Sequence, residues 1–200
     1  MHTSFRLVRC LTNSKTWTGS PCCCIPIFLE RSDQGFAINR LENYDEQCIA
    51  FAEKLGIICV NIDYRLAPEN VFPTSVNDAW DAVQWVRNVL LSSLTRLDPK
   101  SVISNKAQVA ANASSIGGNL SLGFIVGGVS AGANLSAVLS ILARDTGLTP
   151  NLTGVHLSIP LVIASGAVPE KLKEDYLSYE QNRDAPILNA ELMSVIERGS

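Results

Sequence analysis

Residues 124–135 read Phe-Ile-Val-Gly-Gly-Val-Ser-Ala-Gly-Ala-Asn-Leu, and within them Gly128, Ser130 and Gly132 fit the spacing G-x-S-x-G. That spacing suits one chemistry, attack by a serine hydroxyl presented on a sharp turn between a strand and a helix. Side chains at the flanking glycines would crowd neighbouring elements, and a strained turn favours residues that lack Cβ. The helix that follows directs its first N–H groups and the positive end of its dipole at the serine, where an oxyanion would form. The pentapeptide alone is a weak signal. The β-branched and aromatic run before it and the helix-forming run after it supply the required context. Ser130 is the candidate nucleophile.

A serine hydroxyl needs a base to take its proton, and the chain offers few. The two histidines are His2 and His156. His2 lies at the terminus. His156 falls in the strand-like run Leu152–Ile159 and reads as a core or edge residue. Asp175 and Asp184 lie in polar segments and read as solvated charge. No metal site is expected: of six cysteines, Cys22, Cys23 and Cys24 are consecutive, and no histidine is spaced to complete a zinc set with them. Cys59, inside an apolar run, reads as a small buried hydrophobe. Free thiols in a reducing, cytoplasmic setting follow, and the sequons at Asn112, Asn119, Asn134 and Asn151 read as chance. Gly117-Gly118 lacks the lysine and spacing of a phosphate loop, so no cofactor is expected. Trp80 and Trp85 read as core rather than as a stacking platform.

These groups need a fold to position them. Two hundred residues, 46% hydrophobic and 18% charged, suit a single domain with a real core. A net charge of −3 and a pI near 5.4 leave no excess of cations for a nucleic acid partner. No apolar run approaches the ~18 residues of a membrane span, and no basic-then-apolar leader opens the chain.

Residues 1–34 show no settled period and read as unclear or disordered; Ile25–Leu29 is strand-like, but Pro26 argues against a central strand. Asp45–Leu55 sets Cys48, Phe51, Ala52 and Leu55 on one helical face, with Gly56 as the stop. Ile57–Ile62 is a nearly unbroken apolar run, the mark of a strand covered on both faces in a parallel sheet. A helix from Thr74 or Ser75 to about Val86 carries the stripe Val76, Ala79, Val83 and Val86. Strands at 123–126 and 152–159 flank a helix over 135–143. Helical segments are predicted at 171–180 and 189–197. The alternation implies an α/β fold with a mainly parallel sheet. The polar, serine-rich block 87–109 reads as a discordant insertion, since connections in such folds usually take ~2–6 residues.

Tyr64-Arg65-Leu66-Ala67-Pro68-Glu69, then Phe72-Pro73, Asp78-Ala79-Trp80 and Trp85-Val86, together with the Ser130-Ala131-Gly132 turn and Asn134-Leu135, resemble the hormone-sensitive-lipase-like α/β-hydrolases, in a style like that of fungal members. The resemblance spans about 35–160 and continues more weakly from Tyr176 to Leu188. It implies an α/β-hydrolase fold, with flanking helices on the parallel sheet and incomplete at its C-terminal end. It implies hydrolysis of a small-molecule carboxylic ester by Ser130, with the Ala131 N–H as an oxyanion donor. The family's second donor loop, H-G-G-G, falls at Ser32-Asp33-Gln34-Gly35, where only Gly35 matches; one missing donor costs ~2.7–4 kcal/mol of transition-state stabilisation. Val129 replaces the family's usual aspartate. Arg65 and Glu69 are implied to be structural, through an ion pair and a turn that fix the loop after a central strand.

In this fold the acid and the histidine follow the serine, in a C-terminal region expected to be missing from this chain. Ser130 is therefore expected to be impaired or inactive in one partial domain, 1–200. Read-through of intron or frame-shifted sequence, with loss of the tail, would account for 1–34, 87–109 and the abrupt end together. Two alternatives stand beside the esterase: a non-catalytic relative that binds a small molecule, and an inactive fragment. The sequence says nothing of oligomeric state.

Overall fold

The computed structural model describes residues 4–9, 25–28, 45–95, 120 and 122–199. Strand β3 (Ile58–Asp63) is buried along its first five residues, as an apolar, β-branched strand covered on both faces should be. With β1 (Ser4–Arg9), β2 (Ile25–Phe28), β4 (Phe124–Val129) and β5 (Gly154–Ser158), it forms one sheet in the order β1-β3-β2-β4-β5. β1 runs antiparallel, with Leu7 opposite Val60. The other pairings are parallel: Ile27 lies between Val60 and Val126, and Gly127 lies opposite His156.

Three helices cover this sheet: α1 (Asp45–Leu55), α2 (Thr74–Thr95) and α3 (Ala131–Asp145). The period of two along β3 sorts its side chains between the layers. Ile58, Val60 and Ile62 join Val83 and Val86 of α2 and Leu135 and Leu139 of α3 in the main core. Cys59 turns the other way, to Cys48 and Ala52 of α1. Leu135 and Leu139 are 1% and 0% exposed. At about 1.5–3 kcal/mol for each such side chain, they dock the helix that carries the serine turn. Gly56, at φ 63, ends α1 with its N–H on the Ala52 carbonyl, as its position predicts. Trp85 is buried, and Trp80 packs partly buried against the same core.

The architecture differs from the sequence-based expectation in four places. β2 is a central strand despite Pro26, and 1–34 contains two strands of the sheet. Pro26 pairs in register with Ile125 of β4, while the ladder to β3 begins only at Ile27, so the missing N–H falls where β3 offers no partner. Helix α2 runs past Val86 to Thr95, because fully buried Leu90 extends the stripe of Val83 and Val86 by another turn; 87–95 is thus helix, and 96–109 lies outside the described residues. Leu55 is exposed rather than on the buried face of α1. The segment 171–180 is a short 3-10 turn at Glu170–Leu172 followed by the single-turn helix α4 (Ser178–Gln181), since it has no buried face to hold a longer one. The last helix, α5 (Ala190–Gly199), is capped by Asn189, whose Oδ1 accepts the Leu192 N–H at 2.9 Å.

Candidate active site

Ser130 occupies the one residue between β4 and α3, at φ 54 and ψ −114. That backbone lies outside the wells open to a residue with Cβ, and only a well-packed frame sustains it. The frame is present on both sides. The Ser130 N–H donates to the Ser158 carbonyl at 2.9 Å, beyond the last rung of the β4–β5 ladder, and its own carbonyl accepts the Asn134 N–H at 3.0 Å. Both backbone groups are thereby committed. A serine at the first position of a helix ordinarily turns its hydroxyl back to cap it. Ser130 makes no such bond, so its Oγ stays out of the capping role.

Gly128 and Gly132 are both buried, as is Ala131 at 3% exposed. Ala131 opens α3, a position whose N–H has no acceptor inside the helix and carries part of the positive end of the dipole. Gly35, the other expected donor, lies outside the described residues, as do His2, Cys22, Cys23 and Cys24.

The remaining candidates sit apart from the serine. His156 is on the outer strand β5, opposite Gly127, and its ring makes an edge contact with Phe51 of α1, the centroids 6.4 Å apart at 73°. That places it on the α1 side of the sheet, in the edge role its sequence context predicts. Asp175 and Asp184 are exposed, in turns. Arg65 forms a structural ion pair, with Asp78 on α2 as its partner where the expectation had named Glu69. Asp78 is only 2% exposed and accepts from the Arg65 Nε at 2.9 Å, Nη2 at 2.7 Å and backbone N–H at 2.9 Å. The hydrogen bonds first, and the charge second, raise the Arg65 pKa above its usual value. This clamp fixes the loop after β3 to the first turns of α2. Among the described residues, no cluster of three or more His, Cys, Asp or Glu could hold a metal, and no helix is long and apolar enough to cross a membrane. A cavity of about 320 Å³ lined by Ser140, Arg144 and Asn151 lies at the far end of α3 from Ser130, so it is not part of this site.

Sequence reasoning missed Gly127. A Cβ there would meet the His156 Cβ at 2.9 Å and its carbonyl oxygen at 3.2 Å, so the close pairing of β4 with β5 requires glycine at this position. The doublet Gly127-Gly128 inside a strand was the available signal.

Comparison with known proteins agrees with this geometry. The sequence profile of a family described as alpha/beta hydrolase fold matches residues 34–199. An AB hydrolase superfamily protein of Schizosaccharomyces pombe is 32% identical over 161 residues, covering 80% of this chain and 41% of its own length. Carboxylesterase NlhH of Mycobacterium tuberculosis is 31% identical over 169 residues, covering 84% of this chain and 43% of its own. A hyperthermophilic esterase from the archaeon Pyrobaculum calidifontis superposes with a TM-score of 0.70 at 27% identity, over 98% of this chain and 52% of that one. The chain thus spans about half the length of the relatives it matches. With the parallel sheet, the serine turn between β4 and α3, and a profile match running from residue 34 almost to the last residue, the chain belongs to the α/β-hydrolase fold family.

Proposed function

We propose that this chain carries the nucleophile and an oxyanion donor of a carboxylic ester hydrolase acting on a small-molecule ester, without a cofactor. Ser130 is the nucleophile, the Ala131 N–H is one oxyanion donor, and Gly35 belongs to the second donor loop. The observation that carries this reading is the Ser130 backbone, strained at φ 54 and ψ −114 with its hydroxyl left out of helix capping. Carboxylesterase NlhH and the Pyrobaculum calidifontis esterase, both similar to this chain, support the ester as substrate class.

In this reading the Ser130 Oγ attacks the ester carbonyl carbon and its proton passes to a base. The negative oxygen of the tetrahedral intermediate lies against the first N–H groups of α3, and the alcohol leaves. Water then releases the acid from the acyl-enzyme. Among the described residues the single imidazole is His156, turned toward Phe51, and Asp175 and Asp184 are solvated. In this reading the turn supplies position and an oxyanion donor, no base stands beside Ser130 among the described residues, and slow turnover by the chain is expected. Loss of a triad member leaves ~10³–10⁴ over the uncatalysed reaction when the oxyanion hole is intact.

The test is hydrolysis of p-nitrophenyl butyrate by the chain and by Ser130→Ala, with mass spectrometry after treatment with a fluorophosphonate. The expected result is a slow rate abolished in the variant, and an adduct on the peptide that holds Ser130. Equal rates and no adduct would reject Ser130 as nucleophile. Turnover in the usual enzyme range of about 1–10³ s⁻¹ would reject the impairment.

A further inference from the structure

We infer that Asn134 is the positioning residue of the Ser130 turn, because its side-chain amide closes a clasp that holds the segment after β5 against that turn. The inference rests on reading Ser130 as the nucleophile. Among the described residues, two that are not glycine have positive φ, Ser130 at 54 and Ile159 at 44. They end neighbouring parallel strands, one residue past Val129 and one past Ser158, and those two are paired in the ladder. The hydrogen bonds between them form a ring. The Ser130 N–H donates to the Ser158 carbonyl at 2.9 Å, and the Asn134 N–H to the Ser130 carbonyl at 3.0 Å. The Asn134 Nδ2 then reaches across to the Leu161 carbonyl at 2.5 Å. The segment Ser158–Leu161 is pinned at both ends, with Ile159 and Pro160 between the pins.

Among the described residues, little else holds that segment. Ile159 is 75% exposed, so packing does not fix its backbone. Pro160 has no N–H to offer, and Val155, His156 and Leu157 of β5 are exposed. A β-branched residue at positive φ persists only where its surroundings over-determine it, and here the determinants are the Ser158 and Leu161 carbonyl contacts. The chemistry selects asparagine. A carbonyl needs a donor, which aspartate has lost and alanine lacks. The side chain also stands one helical turn beyond the serine, so it ties α3, the turn and the end of β5 into one body. If the Leu161 contact opens, Ser158 is free to withdraw from the Ser130 N–H, and the hydroxyl loses its fixed direction.

The test is residue-resolved amide hydrogen exchange on the full chain and on Asn134→Ala, Asn134→Asp and Asn134→Gln, with Ser140→Ala as a control on the same helix. Asn134→Asp nearly preserves shape and places a carboxylate near a helix N-terminus, where it is tolerated, so it stays folded even if Asn134→Ala does not. The expected result is a fall of about five- to tenfold in Ser130 amide protection in the Asp variant, the size of one lost hydrogen bond. Val126 in the centre of β4 keeps its protection, Ser140→Ala changes neither, and Asn134→Gln restores part of the loss. Ser130 protection unchanged in folded Asn134→Asp would overturn the inference. Failure of the nucleophile reading shows separately, as equal ester hydrolysis by the chain and Ser130→Ala with no adduct on Ser130, and leaves the exchange result to decide the clasp.

Discussion

Adding one methyl group at Gly127 should loosen the serine turn from three residues away, and the size of the effect can be worked out. The added Cβ would stand 2.9 Å from the His156 Cβ and 3.2 Å from its carbonyl oxygen. Carbon pairs rest at about 3.5–4.0 Å, so the shortfall is at least ~0.6 Å. Both obstructing atoms belong to or adjoin the backbone, and no rotamer change removes them. The strands must therefore separate. An opening of ~0.6 Å would take the 2.9 Å bond from Ser130 N–H to Ser158 to about 3.5 Å, the edge of a real hydrogen bond. Overpacking costs about 1–3 kcal/mol, and one or two weakened ladder bonds add about 0.5–1.5 kcal/mol each. The sum, about 1.5–6 kcal/mol, lowers Tm by about 3–24 °C for a domain of this size. Gly154→Ala is the matched control, since its Cβ would meet only Ile125 Cγ1 at 3.5 Å and Cδ1 at 3.8 Å, ordinary contacts. Calorimetry on both variants reads the difference. Equal melting temperatures for Gly127→Ala and Gly154→Ala would refute the reasoning.

Three further outcomes are expected. Ser130→Gly should melt higher than Ser130→Ala, because releasing a residue from φ 54 returns part of a strain of about 1–3 kcal/mol, less the ~0.5–1 kcal/mol entropy of glycine; a lower Tm for Ser130→Gly would remove the strain from the account. Asp78→Asn sets an NH₂ against the three donors of Arg65. For a buried acceptor such as Asp78 the cost is about 1–3 kcal/mol, read by urea unfolding against Asp81→Asn, which is exposed and should be near neutral. Tyr176 has its phenol pKa raised above 10.0, by desolvation first and by Glu197 next. The folded state keeps the proton that the unfolded state releases, so this contribution is present below pH ~10 and is lost as the pH rises past it; absorbance titration should show a late-ionising tyrosine that vanishes in Tyr176→Phe.

The contrast between what was legible and what was not follows the range of the forces involved. The serine turn is encoded locally. Gly127-Gly128 permits the close strand pairing, the small residues after Ser130 permit a buried helix start, and Leu135 and Leu139 dock that helix on the sheet. Every one of those signals lies within fifteen residues of Phe124, so the strand, turn and helix could be read in order. β3 was legible for the same reason, since burial on both faces leaves its mark on consecutive residues. β2 was not. A proline in a central strand is tolerable only because of where the ladder to β3 begins, at Ile27, and that register depends on a strand some thirty residues away. The reach of α2 failed likewise, because one buried leucine, Leu90, outweighs several serines once tertiary packing is counted.

The same distinction explains why the strand–turn–helix around Ser130 was legible and the groups that hold it were not. A serine on a strained turn writes its requirements into its immediate neighbours. The groups that fix its direction are brought to it by topology. His156 is placed opposite Gly127, and the Leu161 carbonyl within reach of Asn134, only because β5 pairs in parallel with β4. Nothing in the run Gly154–Ser158 announces that register, and a shift of one residue would turn His156 to the other face and remove Ser158 from the Ser130 N–H. The pairing of β5, an edge strand of the sheet, thus decides whether the strained Ser130 backbone stays held. On the proposed reading of Ser130 as nucleophile, loosening this edge and loosening the aim of the serine are one event.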